Sequence, residues 1–413
     1  MQRSMVRDGL IAALDIGTSK VCCLIARVDS RGGMRIVGRG FHRAKGMKNG
    51  GITNLSEVEN SIRSAVDLAE QSVGEKLKSV LVSITSPSIQ SQTIEAEIQL
   101  SPYPIGNSDV NKLLTRALGQ FSTEDEAVIH RIPINYSIDG DDNKVDPRGM
   151  TGETLGVRLN IITTNSTSVR NINSVVERSL LEVSGMVASP YASGLSCLVD
   201  DEKELGCTLI DIGAGTTGIA VFMNGQLEYA DVLPVGGNHI TNDIAFGLTT
   251  TVTHAEKLKN LYGCAFPSPH DEKEILNVPL VGENEDTGSF QIKKSDLIGI
   301  IVPRVEEIFE LVKKRLDSEG LYNIPSRRVV LTGGSSQLQG IREAAAFVLD
   351  RQVRIGRPYN ITNLPEGMDG PAFSTAAGIL RYAMNSQPKE RNIATEKKTE
   401  KFGRIGKWFL QSF

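Results

Sequence analysis

Leu10-Ile-Ala-Ala-Leu-Asp15-Ile-Gly17-Thr18-Ser19-Lys20 and Cys207-Thr-Leu-Ile-Asp211-Ile-Gly213-Ala214-Gly215-Thr216-Thr217 are two versions of one pattern, set half the chain apart. Each begins as an apolar β-run, reaches an Asp-x-Gly turn with hydroxyl residues, and continues into a second β-run, Val21 to Val28 in the first and Gly218 to Phe222 in the second. This predicts a hairpin, because a P-loop would run from a strand into a helix. A third strand is expected at Met34 to Gly40 and at Gln226 to Val235. Apolar residues three and four apart then predict helices at Leu55 to Val73 and Asn238 to Leu248. One supersecondary unit used twice implies a two-lobed α/β protein with a cleft between the lobes.

An Asp at the end of a buried strand, followed by glycine and hydroxyl residues, suits a polyphosphate, since glycine lets backbone N–H groups approach the oxygens. The carboxylates of Asp15 and Asp211 can hold Mg²⁺ through water. Gly17, Thr18, Ser19 and Lys20 on one side and Gly213, Ala214, Gly215, Thr216 and Thr217 on the other are the candidate phosphate clamp, with Gly236 and Gly237 after the third strand of the second unit. A single such turn would be read as an ordinary hairpin; a matched pair facing one cleft would not. A third element, Val329-Val-Leu-Thr-Gly333-Gly334-Ser335-Ser-Gln-Leu338, stops at two glycines before an expected helix over Leu338 to Leu349. There Gly333 and Gly334 admit a flat base or ribose, and Ser335 can cap the helix; a plain strand-to-helix turn is the simpler alternative. Glu256 and Lys259 lie one helical turn apart and can face the same ligand, although Thr253 with Glu256 also reads as a capping box. The five histidines have neither triad nor metal spacing and receive no role.

The 413 residues exceed one ordinary core, and 40% hydrophobic with 23% charged residues are globular values. A net charge of −4 and 5% aromatics argue against nucleic acid as a partner. From Lys389 onward seven Lys/Arg face three Glu, a net of 7 − 3 = +4, so a basic end is attached to an acidic body. The five cysteines are odd in number and lack Cys-x-x-Cys spacing, which points to reduced thiols. No signal-peptide core or membrane-spanning run is expected. The texture divides the chain into a first lobe (1–85 and 165–194) with an inserted subdomain (86–164), and a second lobe (195–244 and 322–384) with its own insertion (245–321). A linker (385–400) and a terminal amphipathic helix (401–413) follow. The second insertion carries a long helix near Asp296 to Leu316 with Leu297, Ile301, Val305, Ile308, Val312 and Leu316 on one face, and Pro303 marks a kink or a late start.

Asp15-Ile-Gly-Thr-Ser, Asp211-Ile-Gly-Ala-Gly-Thr-Thr, Leu331-Thr-Gly-Gly-Ser-Ser and Ala372-Phe-Ser-Thr-Ala-Ala-Gly378 stand in the order of the phosphate, adenosine and connecting motifs of the actin, sugar-kinase and heat-shock-chaperone superfamily. From Leu10 onward the chain resembles the FtsA family of actin-like division proteins. The resemblance implies an α/β, actin-like two-lobed fold with duplicated ribonuclease-H-like domains, an FtsA-type inserted subdomain and a C-terminal amphipathic helix. It implies ATP with Mg²⁺ in the cleft, and it matches Glu256 and Lys259 to nucleotide-contacting residues of the chaperone relatives. The partners implied are the FtsZ tail, further copies of the chain in a filament or oligomer, and later division proteins. The FtsZ tail is expected on the second insertion near Arg304, with Lys293 and Lys294 as further candidates; a solvated helix charge is the plainer reading of Arg304. No residue has the spacing of a water-activating base, so at most slow ATP turnover is expected.

The terminal stretch Lys401-Phe402-Gly-Arg404-Ile405-Gly-Lys407-Trp408-Phe409-Leu-Gln-Ser-Phe413 wraps onto a helix with Phe402, Ile405, Phe409 and Phe413 on one side and Arg404 and Lys407 on the other. Trp408 falls near the boundary, as in an interfacial helix on anionic lipid, which together with the resemblance places the protein at the cytoplasmic face of the inner membrane at the division site. Docking on the protein's own core is the alternative. A small-molecule kinase of the superfamily would need a catalytic Asp and a substrate pocket, and a pilus-assembly relative would share the fold without needing this tail.

Overall fold

A computed structural model describes residues 9–28, 33–120, 125–282, 289–322 and 328–385, apart from the side chains of residues 143 and 289. The expected linker beyond residue 385 and the expected membrane helix lie outside the described residues.

Strand Leu10–Ile16 pairs antiparallel with Lys20–Val28, placing Asp15 opposite Cys22, and Lys20–Val28 pairs antiparallel with Met34–Arg43. On its other edge Leu10–Ile16 takes Ser79–Ile84 in parallel, and Glu182–Ala188 follows in parallel. The second sheet repeats this order: Cys207–Ile212 pairs with Thr217–Met223, with Asp211 opposite Gly218, then Gln226–Leu233 on one side and the parallel strands Arg328–Thr332 and Gln352–Ile355 on the other. The two expected hairpins are therefore the centres of two sheets with one topology.

Helices cover both faces of each sheet, so the central strands read as continuous apolar runs. In the first, Leu14, Ile16, Cys23 and Ile25 pack on the helix Leu55–Val73, while Ala13, Cys22 and Leu24 point the other way, onto Ala376, Ile379 and Leu380 of the helix Ser374–Asn385. Each fully buried aliphatic side chain contributes about 1.5–3 kcal/mol. Helix Leu55–Val73 starts where the Asn54 side chain accepts from the N–H groups of Ser56 and Glu57, and it stops at Gly74, whose φ of +75° few other residues adopt.

The last helix of each half lies against the opposite half. Helix Ser189–Cys197, which follows the first sheet, packs on the second; a Cβ on its Gly194 would lie 2.4 Å from the Phe222 ring. Helix Ser374–Asn385 returns from the second half to the first sheet. The two helices cross at Gly378, where a Cβ would come within 1.7 Å of the Ala192 carbonyl oxygen, so only glycine permits the approach.

Between Ile84 and Ser166 a separate four-stranded antiparallel sheet, in the order Gln90–Gln99, Thr154–Asn165, Glu126–Ile138 and Asp141–Lys144, is covered by helix Asn107–Leu118. It touches both halves. Asn160, fully buried, donates from Nδ2 to the Leu227 carbonyl at 2.9 Å, and Arg158 pairs with Glu228 at 3.1 Å. His130 Nε2 accepts from the Ala188 N–H at 3.0 Å with its ring edge-on to Tyr191 and Tyr382, and burial pushes its pKa down to about 3, which keeps it neutral. The second half carries helix Val252–Tyr262, a short hairpin (Ile275–Pro279 with Ser289–Lys293) and helix Lys294–Ser318. Of the two readings of Pro303 the late start is removed: the helix begins well before the proline and runs through it, with the stripe from Leu297 to Leu316 buried. Cys22, Cys23, Cys197, Cys207 and Cys264 are free and buried, and burial pushes the Cys23 and Cys207 thiols up to about 12. No helix among the described residues is long and apolar enough to cross a membrane.

Candidate nucleotide site between the lobes

The two Asp-x-Gly turns have the same length and closure: Gly17 N–H donates to the Lys20 carbonyl at 3.0 Å, and Gly213 N–H to the Thr216 carbonyl at 2.8 Å. They meet across a cleft of about 510 Å³ whose walls include Asp15, Gly17, Thr18, Ser19, Lys20, Asp211, Gly213, Ala214 and Thr216, together with Gly237, Glu256, Lys259, Gly333, Gly334 and Ser335. Gly215, Thr217 and Gly236 support these walls without forming them. A Cβ on Gly215 would lie 2.7 Å from Thr18 Oγ1, so this glycine sets the separation of the two turns. Thr217, expected at the phosphates, is fully buried with its hydroxyl donating to the Val235 carbonyl at 2.8 Å and serves the hairpin instead. Gly236 lies beneath the second turn, where a Cβ would sit 2.7 Å from the Gly213 carbonyl.

The two carboxylates form the floor. Asp15 Oδ1 accepts from Ser83 Oγ at 2.8 Å; burial raises its pKa, and Lys20 and the Ser83 bond oppose the rise. Asp211 Oδ2 accepts from Ser193 Oγ at 2.5 Å and from Thr375 Oγ1 at 3.3 Å, one hydroxyl from each crossing helix. Burial pushes Asp211 up to about 6; the Ser193 bond opposes this, and the charge of Asp15 adds to it. A cation shared by the two groups relieves that repulsion, so the donor set fits Mg²⁺ held through water. Gly333 has φ +85°, and a Cβ there would lie 2.3 Å from Asp211 Oδ1, which lets the third motif close directly over the carboxylate.

Several expected roles change in detail. Ser335 does not cap a helix: its Oγ donates to the Gly213 carbonyl at 3.0 Å, and the helix begins only at Ile341, after the left-handed Gly340. The cap of helix Val252–Tyr262 is Thr251, not Thr253, and Thr251 Oγ1 accepts from His254 N–H at 3.1 Å. Glu256, freed from a capping box, accepts from Thr241 Oγ1 at 2.5 Å and pairs with Lys259 at 2.7 Å. Burial alone would raise its pKa, but these bonds hold it below the usual range. Lys259 Nζ also reaches the Gly237 carbonyl at 3.2 Å. Lys20 Nζ donates to the Ala372 carbonyl and lies over the Phe373 ring. Away from the cleft, Arg304 forms a two-pronged pair with Asp243 at 2.6 and 3.2 Å and contacts Glu307; Lys294 pairs with Asp271 and Glu274, and Lys293 is exposed. Ser83, Ser193 and Thr241 carry no local sequence signal, and Thr375, although inside the Ala372–Gly378 motif, gives no sign there of its partner Asp211 far away in the chain.

Comparison with known proteins decides the family. A chain from Rhizobium meliloti described as cell division protein FtsA is 39% identical over 422 residues, covering 98% of this chain and 96% of that one. This chain belongs to the FtsA family. FtsA proteins of Pseudomonas aeruginosa and Escherichia coli are each 32% identical over 98% and 97% of this chain. The family model described as cell division protein FtsA matches residues 208–378, and that of the SHS2 domain inserted in FtsA matches 87–163, the separate antiparallel sheet and its helix. Among solved structures, a PilM–PilN type IV pilus biogenesis complex aligns with a TM-score of 0.63 at 15% identity over 91% of this chain and 98% of the other. MreB5 of Spiroplasma citri bound to ADP aligns with 0.55 at 13% over 92% and 98%. These likenesses give the fold, which is actin-like; membership of the FtsA family gives a role in cell division.

Proposed function

We propose that this FtsA-family protein binds ATP with Mg²⁺ in the interlobe cleft, holds FtsZ by its tail at the cytoplasmic face of the inner membrane, and self-associates there to recruit later division proteins. The observation that carries the nucleotide part is the matched pair of Asp turns closing on one cleft. In this reading the N–H groups around Gly17 and Gly213 receive the phosphates, Asp15 and Asp211 orient the water shell of the metal, and Glu256 and Lys259 face the ribose or base beside Gly333, Gly334 and Ser335. Mg²⁺, when bound, neutralises charge on the phosphates. No residue is assigned as a base, so ATP acts by biasing lobe closure and assembly.

The membrane part rests on the amphipathic pattern of residues 401–413, and the FtsZ part on family membership with the cationic residues Lys293, Lys294 and Arg304. An acidic peptide at Arg304 competes with Asp243 for the guanidinium, which makes exposed Lys293 the first point of contact. Co-sedimentation with anionic vesicles tests the tether. FtsZ should pellet with the full-length chain and remain in solution with a form lacking residues 401–413. If the full-length chain pellets and FtsZ does not, the tether is wrong while membrane binding stands.

A further inference from the structure

A hairpin that neither phosphate turn contains is wedged between them. Met47–Lys48 pairs with Gly51–Ile52 around Asn49 and Gly50, whose φ angles are +47° and +78°, the double positive turn that an Asn-Gly pair favours. Its tip reaches three separate parts of the cleft. The Gly50 N–H donates a long 3.3 Å bond to Thr18 Oγ1 of the first turn. A Cβ on Gly50 would lie 2.4 Å from the Thr85 carbonyl oxygen and 3.0 Å from the Thr216 methyl of the second turn, so this position borders both lobes at once. On the second lobe, a Cβ on Gly215 would lie 3.0 Å from the Asn49 backbone nitrogen. Gly50 itself lines the cleft, and Lys48 beside it is exposed.

We propose that the Asn49–Gly50 tip is the element that distinguishes a nucleoside triphosphate from a diphosphate. The inference rests on nucleotide binding in this cleft and adds to it the residues that read the terminal phosphate. The tip occupies the gap between the two turns, the place where the outermost phosphate of a chain clamped from both sides arrives. Its N–H groups are donors, and the bond from Gly50 to a neutral hydroxyl is long. A phosphate oxygen is a charged acceptor and forms a shorter bond of about twice the strength. Consecutive N–H groups in such a turn form a concavity suited to an anion. A diphosphate held by the same two turns falls short of the tip and leaves the Gly50 bond to Thr18 as it is.

Two measurements on the full-length protein test this. Hydrogen exchange of wild-type amides in residues 47–52 should slow more with Mg-ATP than with Mg-ADP, by about fivefold or more. Gly50→Ala places a methyl group against Thr85 and displaces the tip; ATP affinity by calorimetry should fall about tenfold or more, against at most about threefold for ADP. Equal protection of these amides by ATP and ADP overturns the proposal without recourse to any variant, as do equal losses of the two affinities in Gly50→Ala. A wild type that binds neither nucleotide removes the nucleotide reading and this one with it. A wild type that binds both with equal protection removes this one alone.

Discussion

The two halves of the molecule share strand order, turn length and turn closure, yet they hold their aspartates differently. Asp15 is tied to Ser83, and Ser83 in turn accepts from the Ile16 N–H at 2.9 Å, so the first carboxylate is locked into its own sheet. Asp211 is tied to Ser193 and Thr375, hydroxyls of the two helices that pass between the halves, and these hydroxyls lie 3.0 Å apart. The same turn is thus anchored within its own sheet in one lobe and to the two crossing helices in the other. In the proposed nucleotide reading the duplicated turns are the phosphate clamp, and only the second of them is tied directly to the crossing helices. The insertions differ as well: the first follows the fourth strand and touches both lobes, whereas the second precedes the fourth strand and packs into the core of its own lobe.

The comparison breaks most severely at the helix crossing. Gly378→Ala forces a methyl into backbone only 1.7 Å away, and urea unfolding should show a loss of about 3 kcal/mol or more. A loss below about 1 kcal/mol would mean that the two helices part easily at this crossing. Ser83→Ala leaves both Asp15 and the Ile16 N–H without a buried partner and should cost about 2 kcal/mol with no effect on the crossing helices. Ser193→Ala should cost less, about 1 kcal/mol, because Thr375 still donates to Asp211. Hydrogen exchange of helix Ser189–Cys197 should nevertheless rise in Ser193→Ala and not in Ser83→Ala; the reverse pattern would erase the proposed asymmetry.

The smallest effect is a pH slope. Asp211 has a folded pKa of about 6 against an ordinary 3.8, so the native state takes up its proton first. Its contribution is fully present below about pH 4 and lost as pH rises through 6. The ligand-free protein should therefore gain roughly a few tenths of a kcal/mol between pH 7 and 6 from this group. Asp211→Asn should remove that slope, and an unchanged slope would assign it to another residue.

Much of this was legible in the sequence because the signals were local. The repeated Asp-x-Gly hairpins, the helix Leu55–Val73 and the two glycines after Thr332 each follow from residues within one element. What escaped was set by long-range packing: Ser83 reaches Asp15 across 68 positions and Thr375 reaches Asp211 across 164, and serine and threonine are too common for their identity to announce a partner. The cap at Thr251 was missed for a different reason. Thr253 and Glu256 have the spacing of a capping box, but Glu256 is drawn to Thr241 and Lys259, and the chain starts its helix two residues earlier. Asn49–Gly50 did carry a local signal, the hairpin dipeptide, and its importance emerges only once the two lobes are brought together.

The exchange of final helices also orders the birth of the protein on the ribosome. The face of the first sheet formed by Ala13, Cys22, Leu24 and Ala26 is covered by Ala376, Ile379 and Leu380, which are synthesised some 350 residues later. At about 5–20 residues per second this apolar face waits on the order of 20–70 s for its cover. The amino-terminal half therefore emerges as an unfinished layer that favours chaperone protection, and separately expressed halves should be poorly soluble apart and recover only when mixed.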